Sequence, residues 1–128
     1  MVFNTAYKNS LKELILDDFD NILYMAPSDD TSEELASSDS LTDEIAGLRK
    51  ANDEQVKDTT LFTYEWDAVW SLTEGNGESF AKVGLFTGAS GDNLKISKLL
   101  TEAIAKTSAI ELNVGVMVSV TTTEVDVS

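Results

Sequence analysis

The chain contains no cysteine and no histidine. The first absence excludes disulfides, zinc–thiolate sites and thiol nucleophiles. The second removes the commonest general base, the commonest metal ligand and the Ser-His-Asp arrangement. Catalysis would have to run on Asp, Glu, Lys, Tyr, Ser and Thr alone, so the expectation is a non-enzyme with no cofactor, no metal and no catalytic residue. Positive charge is scarce too: 9 basic residues, only one of them arginine, stand against 23 acidic ones, a net charge of −14. Such a chain repels phosphate backbones and anionic membrane surfaces, so nucleic acid is not an expected partner. Solubility accounts for the charge, and so does a saline habitat in which screening tolerates it. No run approaches the roughly 18 apolar residues of a membrane span. The N-terminus has no basic region followed by an apolar stretch, so neither membrane insertion nor a signal peptide is expected.

What is present is a core. At 128 residues and 42% hydrophobic, the chain reads as one domain, 1–128, with enough apolar side chain to bury. The clearest segment is 109–121, where Ile110, Leu112, Val114, Val116, Val118 and Val120 alternate with Glu111, Asn113, Gly115, Ser119 and Thr121. Side chains of a strand point alternately to its two faces, so this is a long strand with one buried face. Met117 is the large apolar exception on the polar face. A second strand spans 59–70, with Phe62, Tyr64, Trp66, Ala68 and Trp70 on one face and Thr63, Glu65 and Asp67 on the other. Strands are also expected at 79–87, with Phe80, Lys82, Gly84 and Phe86 alternating against Ala81, Val83 and Leu85, and at 94–100, with 101–108 crossing over. Turns fall at 74–77 and 88–93, where glycine and asparagine cluster.

Asn4 or Thr5 can cap a helix over 5–16, whose apolar stripe is Tyr7, Leu11, Leu14 and Ile15. Asp17, Asp18 and Asp20 oppose the dipole of a helix C-terminus and mark its stop. A short strand, 21–26, is closed by Pro27, the only proline, because proline cannot donate to a ladder. Residues 28–44 hold seven acidic residues and five serines and read as a solvated loop, with helical turns near 31–36 and 40–45 and with Leu35, Leu41 and Ile45 pinning it down. A return strand starts in 47–51. The fold is therefore mainly β: an antiparallel sandwich or twisted sheet, β core 59–121, one N-terminal helix packed on it, and a polar tail at 122–128.

Each candidate site has a plainer reading beside it. Asp17, Asp18 and Asp20 could offer oxygens to calcium, but the glycine turn and bidentate Glu of a working loop are missing. Asp29, Asp30, Glu33 and Glu34 could meet a cation or a basic partner, and equally make a solvated loop. Glu65 and Asp67 have the residue types of a glycosidase pair, at a spacing that any outward strand face shows. Tyr64, Trp66 and Trp70 could stack on sugars as a carbohydrate-binding module, yet they share a face with Phe62 and Ala68, which favours core packing. Gly88–Gly91 lacks the Gly-Lys-Ser/Thr ending of a phosphate loop.

The order of these pieces resembles a family of tailed-phage structural proteins, of the tail-fibre and tail-collar-fibre kind. The resemblance runs through Tyr7-Lys8-Asn9-Ser10-Leu11, Asn21–Ala26, the polar loop ending in Leu41–Ile45, Arg49-Lys50, Ala81–Phe86, Ile104–Thr107 and the strand to Thr121. Val83-Gly84-Leu85-Phe86 and Ala105-Lys106-Thr107 are its most specific pieces. The proline that often precedes the Lys-Thr segment is absent, and the acidic load is heavier. The resemblance implies a virion component near the tail, baseplate or fibre attachment point. It would be a homo-oligomer, trimer or ring, that contacts other virion proteins through 28–44, 74–77, 88–93 and 122–128. The alternative is a capsid decoration protein.

Overall fold

The computed structural model describes residues 3–121. Helix α1 (Thr5–Phe19) is followed by strands β1 (Tyr24–Ser28), β2 (Lys50–Ala51), β3 (Glu54–Asp58), β4 (Thr63–Trp70), β5 (Ser79–Phe86), β6 (Leu94–Ala105) and β7 (Leu112–Ser119). They form two antiparallel sheets, ordered β2-β1-β5-β6 and β3-β4-β7, with α1 packed on them. The mainly β fold with one packed N-terminal helix is thus as the alternation required.

The main core lies between the sheets. Tyr64, Trp66, Ala68 and Trp70 of β4 and Val114 and Val116 of β7 meet Met25, Phe80, Val83 and Leu85. A second, smaller core sits on the far side of the four-stranded sheet, where Ala26, Phe86 and Leu94 pack beneath Leu41 of the loop 28–44. The molecule is therefore layered: three-stranded sheet, core, four-stranded sheet, and a loop covering part of that sheet's outer surface.

Several boundaries and faces differ from expectation. The helix runs three residues past 16, to Phe19. Leu16 and Phe19 enter the core, and the Asp17 and Asp20 carboxylates reach Lys57 at 2.9 and 2.8 Å, so tertiary contacts outweigh the unfavourable dipole end. Asn4 is the cap, accepting from Ala6 N. The expected stripe is not the docked one. Leu16 stands nine residues, two and a half turns, beyond Tyr7 and so points the opposite way. Tyr7, Leu14 and Ile15 are exposed, while Leu16 is fully buried.

Pro27 lies inside β1, opposite Val83, rather than closing the strand. Its carbonyl accepts from Ile45 N, so its ring nitrogen faces the same way, toward a loop and not toward β5. β4 starts at Thr63, because Asp58 Oδ1 accepts from Thr60 N and Leu61 N, both at 2.9 Å, and makes a turn that ends on left-handed Phe62 (φ 55°). Between Phe80 and Lys82 the β5–β6 register shifts. Phe80 therefore joins Val83 and Leu85 in the inner core, not Lys82, Gly84 and Phe86. β6 continues to Ala105 where a crossover was expected, and β3 was not foreseen. No helix forms in 31–36, and Leu35 is exposed, although Leu41 and Ile45 do pack against the body. The tail 122–128 lies outside the described residues.

Candidate functional site

Lys82 is fully buried, and its Nζ donates to Asp30 Oδ2 at 2.6 Å, Glu34 Oε1 at 2.5 Å and Ser32 O at 2.9 Å. A lysine ammonium has three donors, and all three are spent here. Burial pushes Glu34 up, but Lys82 and the Thr42 N–H and hydroxyl hold it below its ordinary range. Lys82 likewise holds Asp30 down. Burial pulls Lys82 down, and the two carboxylates overcome it, so its pKa is raised. The cluster is a closed clamp that fastens the loop to β5, not a site with a free base.

Asp30 and Glu34 are thus not the simple solvated charges that loop composition indicates. Asp29 and Glu33 are exposed as expected. Asp29, Asp43, Glu44 and Glu78 line an open acidic hollow.

Arg49, Lys106 and Lys50 are similarly occupied. The Arg49 guanidinium pairs with both Glu44 oxygens (3.0 and 2.7 Å), lies 3.6 Å from the Phe86 ring centroid, and donates to Gly88 O, Gly91 O and Asn93 Oδ1. The turn 88–93 is therefore closed around Arg49 and offers no phosphate cradle. Lys106 is buried, donating to Asn76 Oδ1 and Thr107 O at 3.0 Å each. With the bonds Lys106 N to Glu78 O and Gly77 N to Lys106 O, it locks the turn 74–77. Lys50 bonds Val69 O and reaches Glu74 at 3.4 Å.

Lys57 has its pKa raised by Asp20 first and then by Asp17, and the Asp20 carboxylate also accepts from the Tyr64 hydroxyl at 2.8 Å. Asp17, Asp18 and Asp20 hold no calcium geometry. Among the described residues, no group of three or more acidic side chains is arranged to hold a metal ion.

Glu65 and Asp67 lie on the outer face of the three-stranded sheet, beside Met117 and Gly115 respectively. Burial, and then the Glu54 charge, raise the Asp67 pKa. Among the described residues no hydrogen bond to the Asp67 carboxylate replaces water. The aromatic reading is overturned. Trp66 and Trp70 are fully buried and Tyr64 nearly so, with Phe19 edge-on to both Tyr64 and Trp66 and Trp70 edge-on to Phe80. A sugar cannot stack on faces that already carry the core.

Two features whose exposure the sequence did not reveal are left uncovered by the described residues. One is the outward stripe of α1, where Tyr7 meets Phe3 edge-on and Leu14 is 65% exposed. The other is the outer edge of β7, which among the described residues pairs only with β4. Both had a signal. The helix carries two apolar stripes, and no charged residue falls between Glu111 and Glu124. No helix among the described residues is long and apolar enough to cross a membrane. No family model, curated protein or solved structure matches this chain.

Proposed function

We propose that the chain is a non-enzymatic structural subunit of a tailed virus particle, acting by protein–protein assembly at the tail, baseplate or fibre attachment region. The observation that carries the assembly reading is the outward stripe of α1. Tyr7, Leu14 and Ile15 stand exposed at 56, 65 and 42%. Large apolar side chains exposed together along one helix suit contact with another protein. The virion reading is supported by the resemblance of Val83–Phe86, Ala105–Thr107 and the order of elements to tailed-phage structural proteins.

The subunit would work as a homo-oligomer, in contact with other virion proteins. Antibody-gold labelling of purified particles tests it. Label confined to the tail is the expected result. Label over the head, with hundreds of copies by gel densitometry, moves the protein to capsid decoration. Particles without label overturn the virion reading and leave the assembly reading to be judged in solution.

A further inference from the structure

A chain with a charge of −14 meets its own copy at least electrostatic cost where charge is absent. The four sheet edges differ sharply in this respect. β2 is two residues long. β3 carries Glu54, Lys57 and Asp58. β6 carries Lys95, Lys98 and Glu102 and two register shifts against β5. Short length, charge and irregular register are the usual guards of a sheet edge. β7, Leu-Asn-Val-Gly-Val-Met-Val-Ser, has eight residues, no charge, no proline and an unbroken register against β4.

Its hydrogen-bonding groups are oriented for pairing. Val120 N donates to Phe62 O at 2.8 Å. By the alternation of an antiparallel ladder, Leu112, Val114, Val116 and Val118 also turn their N–H and C=O toward β4. Asn113, Gly115, Met117 and Ser119 turn theirs outward. All four are exposed, and no described residue bonds their main chain.

We infer that β7 pairs antiparallel with β7 of a second copy across a two-fold axis at Val116, joining two three-stranded sheets into one of six. In this register Asn113 exchanges main-chain bonds with the partner's Ser119, and Gly115 with the partner's Met117. Val114 adjoins the partner's Val118, so the apolar rows of the two cores run on into each other. Met117, 62% exposed in the single chain, lies over the Cβ-less Gly115 of the partner subunit. Glu65 and Asp67 sit one strand further in, so the two copies' carboxylates are kept roughly 14 Å apart, three strand spacings, beyond the screening length of physiological salt. An isologous contact of this kind is self-limiting at two copies. The inference rests on the assembly reading and names its first contact; it does not depend on a virus particle.

Sedimentation velocity on the full chain over a wide concentration range tests it. The wild type is expected to dimerise. Asn113→Asp combined with Ser119→Asp places like charges opposite each other twice, and should weaken the dimer about tenfold or more. Asn113→Lys with Ser119→Asp places opposite charges there and should restore it. All of these side chains are exposed, so circular dichroism and thermal unfolding of the monomer should not change.

Met117→Pro, which removes an outward N–H, should abolish pairing; if it unfolds the chain, the charge variants decide. A wild type that stays monomeric at every concentration overturns the inference. So does a dimer indifferent to both charge variants, or one lost on Leu14→Glu instead, which would assign the contact to α1. Failure of particle labelling touches none of these outcomes, so the two readings fail separately.

Discussion

β4 and β5 are both eight-residue strands at the centre of their sheets, yet they are buried in different ways. In β4 every second residue is buried, while in β5 every residue after Ser79 is. The difference is one of cover. The outer face of β5 lies under the loop 28–44, held down by Lys82, Arg49 and Leu41. The outer face of β4 is only half-buried, and among the described residues nothing pairs with the outer edge of its neighbour β7. An acidic loop, the least core-like stretch of the chain, is what turns one sheet two-sided, while the sheet with the more regular alternation is the one left with surface to offer a partner.

Removing the clamp should have the largest effect on that contrast. Lys82→Ala leaves Asp30 and Glu34 without their cation and should cost about 3 kcal/mol in urea unfolding. Limited proteolysis should then cut within 28–44, while β4 and β7 stay protected.

Acid should act on the same clamp. Asp30 and Glu34 sit below the ordinary carboxylate range in the folded state, so the unfolded chain binds more protons. Their contribution is complete above the unfolded pKa values and is lost as pH falls through the folded ones. The stability gap between wild type and Lys82→Met should therefore narrow below about pH 4, and a gap constant with pH would remove the clamp from the account.

Two glycines give a like-for-like test at smaller scale. A Cβ on Gly84 meets Leu94 Cδ1 at 2.8 Å, Phe86 at 3.1 Å and Leu41 at 3.2 Å, all packed beneath the loop. Gly84→Ala should cost about 1–3 kcal/mol. A Cβ on Gly115 meets Asp67 Oδ1 at 2.6 Å and Glu65 Oε1 at 3.3 Å, ends of side chains at the wet face that can swing aside. Gly115→Ala should change monomer stability by less than about 0.5 kcal/mol. Equal costs in thermal unfolding would mean that the two sheets are covered alike.

The smallest effect is at Asp67, whose pKa is raised by burial and by Glu54. Its charged form is disfavoured on folding, so the penalty grows as pH rises through the carboxylate range and is full at neutrality. Asp67→Asn should stabilise the chain by a few tenths of a kcal/mol at pH 7 and by nothing near pH 3. Differential scanning fluorimetry at the two pH values reads the difference.

Much of the fold was legible in the chain itself. Period-two alternation marked β4, β5 and β7, and Gly-Asn clusters marked the turns, because each pattern is set by a strand's own geometry or a turn's own φ. The inward face of β4 was right from Tyr64 to Trp70. The buried aromatics were legible as core, and the sugar-stacking reading failed for that reason. The docked face of α1 differs from the expected one because periodicity reports stripes but not which stripe a body chooses. Tyr7, Leu11 and Leu14 are as well spaced as Lys12, Leu16 and Phe19. Only the second set fits against Tyr64, Trp66 and Phe62, where Lys12 lies over the Phe62 ring.

By itself, then, the sequence determined that this would be an antiparallel β protein with one helix, a large acidic surplus and no histidine or cysteine chemistry, since composition and local period are properties of the chain alone. Tertiary structure alone decided the rest: that Lys82 is buried and reaches 52 and 48 residues back to Asp30 and Glu34, that the β5–β6 register shift sends Phe80 inward, and that β7 becomes an unguarded edge. Each depends on which segments lie side by side. Pairing between distant strands, and the desolvation of a charge that follows from it, leave no periodic mark on the residues that take part.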